Sequence, residues 1–243
     1  MVVEIVQDTC TGCGECLPFC TVAAISLGEG AAKVDADLCV ECRLCVRFSV
    51  CPTGSIRVTE IEEHDPRSVR RISDPTMVKA TGLPGRGTEE VKTNDVTGRV
   101  GPGQVGFCVE LGRPGVSASL ADLEKVTTAL SRLGVKFQRD NPMMTLLSDP
   151  ERGLVRDEVK GERVLSTLVE FVTSVDMIEP VLGALKKAAG EVDTVFSVGL
   201  ITRVDGDGRI PVAGTLEELG IPVRPNSKVN LGLGRPLFEE REV

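Results

Sequence analysis

The chain has 243 residues, of which 41% are hydrophobic and 26% charged, and a formal net charge of −8. That is enough apolar material for one large or two small soluble domains, and the acidic balance excludes an electrostatic nucleic-acid surface as the basis of function. Trp and Tyr are absent and there are only seven Phe, so aromatic stacking platforms for bases or sugars are excluded too.

In chain order, the amino-terminal stretch MVVEIVQD is far too short for a signal-peptide core, and no run reaches the roughly 18 apolar residues of a membrane span. The expectation is a cytoplasmic protein with neither a membrane nor a nucleic-acid partner. Nine cysteines in such a compartment point to metal or redox chemistry rather than disulfides. All but Cys108 fall between positions 10 and 51, in two runs, CTGCGECLPFC and CVECRLCVRFSVC. Cys39 follows Cys10 by 29 positions, whereas Cys51 follows Cys20, and Ile56 follows Ile25, by 31. The runs are therefore an internal repeat with a two-residue insertion between Cys45 and Cys51. Ser49 occupies the position that the shorter spacing would give to cysteine, which leaves serine ligation as an alternative. Around the cysteines, VVEIV, AAISL, AKVDA and SIRV read as short strands.

This repeat resembles the bacterial-type ferredoxin domain that carries two [4Fe–4S] clusters, over residues 1–58. The resemblance implies that the fourth cysteine of each run serves the other cluster. Carried over, Cys10, Cys13, Cys16 and Cys51 would hold one cluster, and Cys39, Cys42, Cys45 and Cys20 the second. Gly12 and Gly14 would let the first loop turn tightly and aim backbone N–H groups at sulfur. Pro52 stands after the distal cysteine as in the family, while Thr21 replaces proline in the first half. Paired zinc sites would use two C-x2-C knuckles each, and these thiols come in threes plus one. The alternatives of zinc, disulfides and a single surviving cluster stand beside the dicluster reading. Glu15 and Glu41, next to ligands, should lower the potentials, while Arg43 and Arg47 should raise that of the second cluster.

Residues 60–103 are rich in Gly, Pro and charge and read as a connection. Within it, GRGTEEVKTNDVTGR (85–99) resembles the amino-terminal region of larger iron–sulfur reductases such as 6-hydroxynicotinate reductase. The chain has no recognisable flavin site, so that activity is not carried over. GPGQVG matches a dinucleotide-binding pattern by letter but leads into a strand rather than a helix. His64 reads as a solvated side chain.

From residue 104, QVGFCVEL alternates, placing Val105, Phe107, Val109 and Leu111 on one face. Ser119 and Asp122 mark a helix start and Gly134 its stop, with Leu120, Leu123, Leu130 and Leu133 as the apolar stripe. VKFQ reads as a short strand and RVLSTLVEFVTSV as a longer one. Asp176 with Glu179 reads as the next capping pair, Pro180 falls in the first turn, and Gly190 ends the helix after Lys186 and Lys187. VDTVFSVGLITRV is a further strand and DGDG a hairpin turn; Leu216 stands where a calcium loop would need glutamate. The order β-α-β-β-α-β predicts an α+β fold, a split βαβ sandwich over residues 104–243 beside the small domain of residues 1–59. Cys108 and Glu110 would lie on an open sheet face, with Cys108 inert, part of an interface joining copies of the chain, or a labile ligand.

Three function classes follow. The first is an electron carrier serving a redox protein partner, as subunit or partner of a larger oxidoreductase in an anaerobic host. The second is an enzyme with a substrate pocket between the domains, lined by Lys92, Asn94, Asp95 and Arg99. The third is a regulator whose carboxy-terminal domain senses a ligand. No residue is assigned a catalytic role.

Overall fold

The structure, a computed structural model, describes residues 2–73, 95, 98–112 and 116–221. The first unit consists of two antiparallel ribbons. Strand β1 (Val2–Ile5) pairs with β4 (Ile56–Thr59), running from Val2 opposite Thr59 to Ile5 opposite Ile56. Strand β2 (Ile25–Leu27) pairs with β3 (Ala32–Val34). Each ribbon therefore takes one strand from each half of the repeat, so neither half can form its sheet alone. Their shared core is small: Cys16, Ile25 and Ala32 are buried, with Ile5, Leu17, Val34, Val50 and Ile56 packed around them. So little buried apolar surface leaves a unit of this size short of folding free energy unless something else fills its centre.

The second unit has its own core. Its sheet is antiparallel in the order β10–β5–β11, with β5 (Gln104–Leu111) between β10 (Thr167–Ser174) and β11 (Phe196–Thr202). Phe137 adds a single antiparallel bridge to Phe171 on the outer side of β10. The alternation in β5 places Val105, Phe107, Val109 and Leu111 in one cluster with α2 (Leu120–Ser131) and α3 (Ile178–Ala189). Leu120, Leu123, Val126 and Leu130 come from α2, and Ile178, Val181 and Leu185 from α3. Phe107 stacks on Phe171 with ring centroids 5.0 Å apart. Two small ribbons, β6 (Ala118–Ser119) with β9 (Arg163–Val164) and β7 (Leu147–Asp149) with β8 (Leu154–Val155), close the margin. The last described helix, α4 (Ala213–Glu218), adds Leu216 to the core. The architecture is α+β, and no described helix is long and apolar enough to cross a membrane.

Between the units, the 3-10 stretch Pro66–Ser73 is part of neither ribbon. Ile72 enters the core of the second unit, and the Ser73 hydroxyl accepts the Leu165 amide at 2.8 Å. Part of the Gly- and Pro-rich connection is thus a docked element.

Four sequence expectations are corrected. The face carrying Cys108 and Glu110 is not open, since Cys108 is 1% exposed and Leu168, Glu110 and Glu170 are buried on it. The run from Arg163 to Val175 is two strands, because Arg163 and Val164 turn away to pair with β6. The cap before α3 is Ser174, whose hydroxyl accepts the Asp176 amide; a 3-10 turn separates it from the helix, so Asp176 and Glu179 do not form the pair. The DGDG turn closes with Gly208 N–H donating to Asp205, but leads into α4 rather than a returning strand.

The start of α2 follows the sequence closely. Ser119 Oγ accepts the Asp122 amide at 3.0 Å and donates to the Asp122 carboxylate at 2.8 Å, which Lys125 Nζ also reaches at 2.8 Å. Burial is the largest single influence on Asp122 and raises its pKa, but Lys125, Ser119 and the Asp193 amide together outweigh it and hold the carboxyl below its usual range. A depressed folded pKa contributes stability above the unfolded value of about 4 and loses it as pH falls through the folded one. Asp122→Asn is expected to destabilise the second unit by about 1–2 kcal/mol at neutral pH. The deficit should shrink below pH about 4, as checked by urea unfolding at both pH values.

Candidate metal centre

The repeat is written in the backbone as well as in the sequence. Gly12 and Gly14 are left-handed at φ +65° and +79°, and their counterparts 29 positions on, Glu41 and Arg43, are left-handed at +54° and +57°. Ala23 at +53° corresponds likewise to Gly54 at +65°, 31 positions on. Hydrogen bonds to sulfur repeat too. Ala24 N–H donates to Cys20 Sγ at 3.1 Å, and Ser55 N–H to Cys51 Sγ at 3.2 Å. The inserted residues are absorbed where α1 (Leu44–Arg47) replaces the 3-10 turn Leu17–Phe19, after which Ser49 is left-handed at +49° and exposed. This re-aims the chain so that Cys51, not Ser49, returns to the site.

Cys10, Cys13, Cys16 and Cys51 line one recess, together with Gly14, Ile5, Ala32, Val50 and Ile56. Its empty space, counted with the solvent at its mouth, is about 310 Å³. Cys16 is held in the electrostatic field of Cys10, Cys13 and Cys51. On the other side, Cys45 feels Cys42 and Cys20, Cys42 feels Cys20, and Cys39 feels Cys42. The structure thus draws Cys51 toward Cys10, Cys13 and Cys16, and Cys20 toward Cys42 and Cys45. Among the described residues, no three or more His, Cys, Asp or Glu side chains converge tightly enough for a single metal ion. The thiols surround a space instead of meeting at a point.

Burial sets the thiol acidities. It pushes Cys39 up to about 12, with the Glu41 carboxylate the next cause, and Cys45 up to about 11, helped by Cys42 and Cys20. Cys42 and Cys16 are raised chiefly by burial as well. Burial also raises Cys51, but hydrogen bonds from Thr53 and Ser55 together outweigh it and bring this thiol down to about 7. Metal ligation needs thiolates, so loading these groups must release protons.

Pro52 is exposed in the turn after Cys51, which Gly54 N–H closes onto Cys51 C=O at 3.1 Å. The amides of Ala24, Ala32 and Ser55 donate to thiols, and Glu41, at the position matching Gly12, turns its own amide toward Cys39. Lys92 and Asn94 lie outside the described residues. Asp95 accepts the amides of Arg99 and Val100, and with Arg99 it borders a recess on the second unit's sheet beside Gln138 and Glu170. Sequence reasoning missed Arg70 and Glu162. Arg70 is 4% exposed, and its guanidinium donates to the carbonyls of Ala36 and Cys39 and to the Glu162 carboxylate. Nothing in PRSVRRIS marks this arginine as different from Arg67 or Arg71.

A Cβ on Gly12 would lie 2.8 Å from the Gly30 carbonyl oxygen, whereas one on Gly54 would meet nothing within 4 Å. Ala23 already shows that alanine is accommodated at the position matching Gly54. Gly54→Ala is expected to cost about 1 kcal/mol and leave metal content unchanged, while Gly12→Ala should lose about half of it or more. Metal analysis of anaerobically prepared variants checks the contrast.

No protein-family model matches the chain, and no solved structure matches it. Among curated proteins, it is 39% identical to Ferredoxin-2 of Chlorobaculum tepidum over 57 residues, 21% of this chain and 89% of that protein. It is 40% identical to Ferredoxin-1 of Rhodobacter capsulatus over 42 residues, 17% of this chain and 65% of that protein. A Porphyra purpurea protein, described as an uncharacterized protein in the rpl9-rpl11 intergenic region, is 32% identical over 76 residues, 28% of this chain and 93% of that protein. Through this segment, which spans nearly the whole of one ferredoxin, the chain belongs to the ferredoxin family.

Proposed function

We propose that the amino-terminal unit binds two [4Fe–4S] clusters and relays single electrons between a redox protein partner and a larger oxidoreductase, with the second unit, read as a split βαβ sandwich, as its docking module. The observation that carries this reading is the recess lined by Cys10, Cys13, Cys16 and Cys51, in which three thiols of one half are completed by one from the other. The second cluster falls to Cys39, Cys42, Cys45 and Cys20. A bound cluster supplies a one-electron couple. The chain's own contribution is to hold thiolates at the corners and to direct amides of Ala24, Ala32 and Ser55 at sulfur. Those donors offset the negative charge that four thiolates bring, and Ile5, Val50 and Ile56 keep water from one side.

Ferredoxin relatives support iron–sulfur electron transfer as the role of the segment. Anaerobically purified chain is expected to carry about eight irons and about eight labile sulfides. Because Trp and Tyr are absent, its near-ultraviolet and visible absorption should be dominated by charge transfer that bleaches with about two electrons. Zinc in place of iron, or clearly fewer than about eight irons, would overturn the reading.

A further inference from the structure

The two halves differ at one place where the repeat makes them comparable. Ala32 stands to Cys10 as Val3 stands to Cys39, each pair related by the same 29-residue step. Ala32 N–H donates to Cys10 Sγ at 3.4 Å. Val3 N–H donates instead to Glu41 Oε2 at 2.8 Å. Glu41 occupies the left-handed position that glycine fills in the first half, and its carboxylate is buried, 4% exposed, beside Cys39. The second site has thus exchanged an amide donor for a buried carboxylate.

Arg70 is a buried cation near that carboxylate. Arg70 acts electrostatically on Glu41 and clasps the loop that carries the first thiol of the second group through the carbonyls of Ala36 and Cys39. Its Nε donates to Glu162 in the second unit. Glu162 is rigidly mounted: its carbonyl accepts the Leu120 amide at 2.9 Å, and its amide donates to Val159 C=O at 2.9 Å. Near Cys42, Arg43 is half-buried and Arg47 is exposed and screened by solvent. We propose that Arg70 is a positioning residue that fixes the Cys39 loop and sets the potential of the second cluster, with Glu162 as the lever through which the second unit acts on it. The inference rests on the dicluster reading above.

Removing the Arg70 charge takes a buried cation away from the Cys39 loop, so reduction of the second cluster becomes harder. Neutralising Glu162 frees more of the Arg70 charge for the cluster, so reduction becomes easier. In redox titrations of the full chain followed by electron paramagnetic resonance, Arg70→Gln should move one of the two couples to lower potential. Glu162→Gln should move the same couple to higher potential, and the other couple should stay in place in both variants. A packing defect would not reverse sign between the two. Should Arg70→Gln fail to fold, the upward shift in Glu162→Gln alone carries the test. No shift, a shift of both couples, or the same direction in both variants would overturn the assignment of Arg70. A wild-type chain without two couples would instead overturn the dicluster reading itself.

Discussion

The constraint on which the proposed centre depends is that each half of the repeat would supply three thiols in one loop and borrow the fourth from the other. A loop with cysteines at three-residue spacing turns back on itself and reaches three corners of a space; the remaining corner faces the opposite half. Strand exchange follows from the same demand. Because β1 pairs with β4 and β2 with β3, the halves are closed around each other, and Cys20 and Cys51 are delivered across the interface. The left-handed pairs Gly12 with Glu41 and Gly14 with Arg43 show that the loop path is conserved even where glycine is not. Placing Glu41 and Arg43 there costs on the order of 1 kcal/mol each, which a unit with so small an apolar core tolerates only if the centre is well stabilised.

Duplication has not kept the halves chemically equal. The first recess is lined by thiols, apolar side chains, Thr11, Thr53 and the exposed Glu15, whereas the second group sits beside a buried carboxylate and a buried guanidinium. Arg70 belongs to the docked stretch Pro66–Ser73, whose Ile72 and Ser73 are anchored in the second unit. The asymmetry is therefore imported from outside the repeat, and it makes the second unit part of the environment of one thiol group. A buried charge with well-made partners has an electrostatic reach that a solvated one lacks. On that ground the proposal rests on Arg70 rather than on Arg47, which the sequence places much nearer to the cysteines.

Local signals explain what was readable from residues alone. The offset of the second run exposed the insertion, and its consequence, that Cys51 rather than Ser49 comes to the recess, follows from α1 replacing a tighter turn. Ser119 and Asp122 marked the start of α2 because capping is decided within four residues. The core face of β5 was legible from its alternation. The opposite face was not, because Cys108 and Glu110 look like an exposed edge of the pattern until tertiary packing buries them. Ser174 was overlooked as a cap because a 3-10 turn stands between it and α3. Arg70 and Glu162 are separated by 92 residues, and no periodicity links a buried arginine to a carboxylate that far away.

Ligand exchange between the halves is most directly tested by iron analysis of paired cysteine variants. Cys10→Ala combined with Cys51→Ala removes two thiols from one proposed group, so about four irons should remain. Cys20→Ala combined with Cys51→Ala removes one from each, and both sites should fail. Equal iron in the two double variants, or better retention when Cys20 and Cys51 are lost together, would contradict the crossed arrangement.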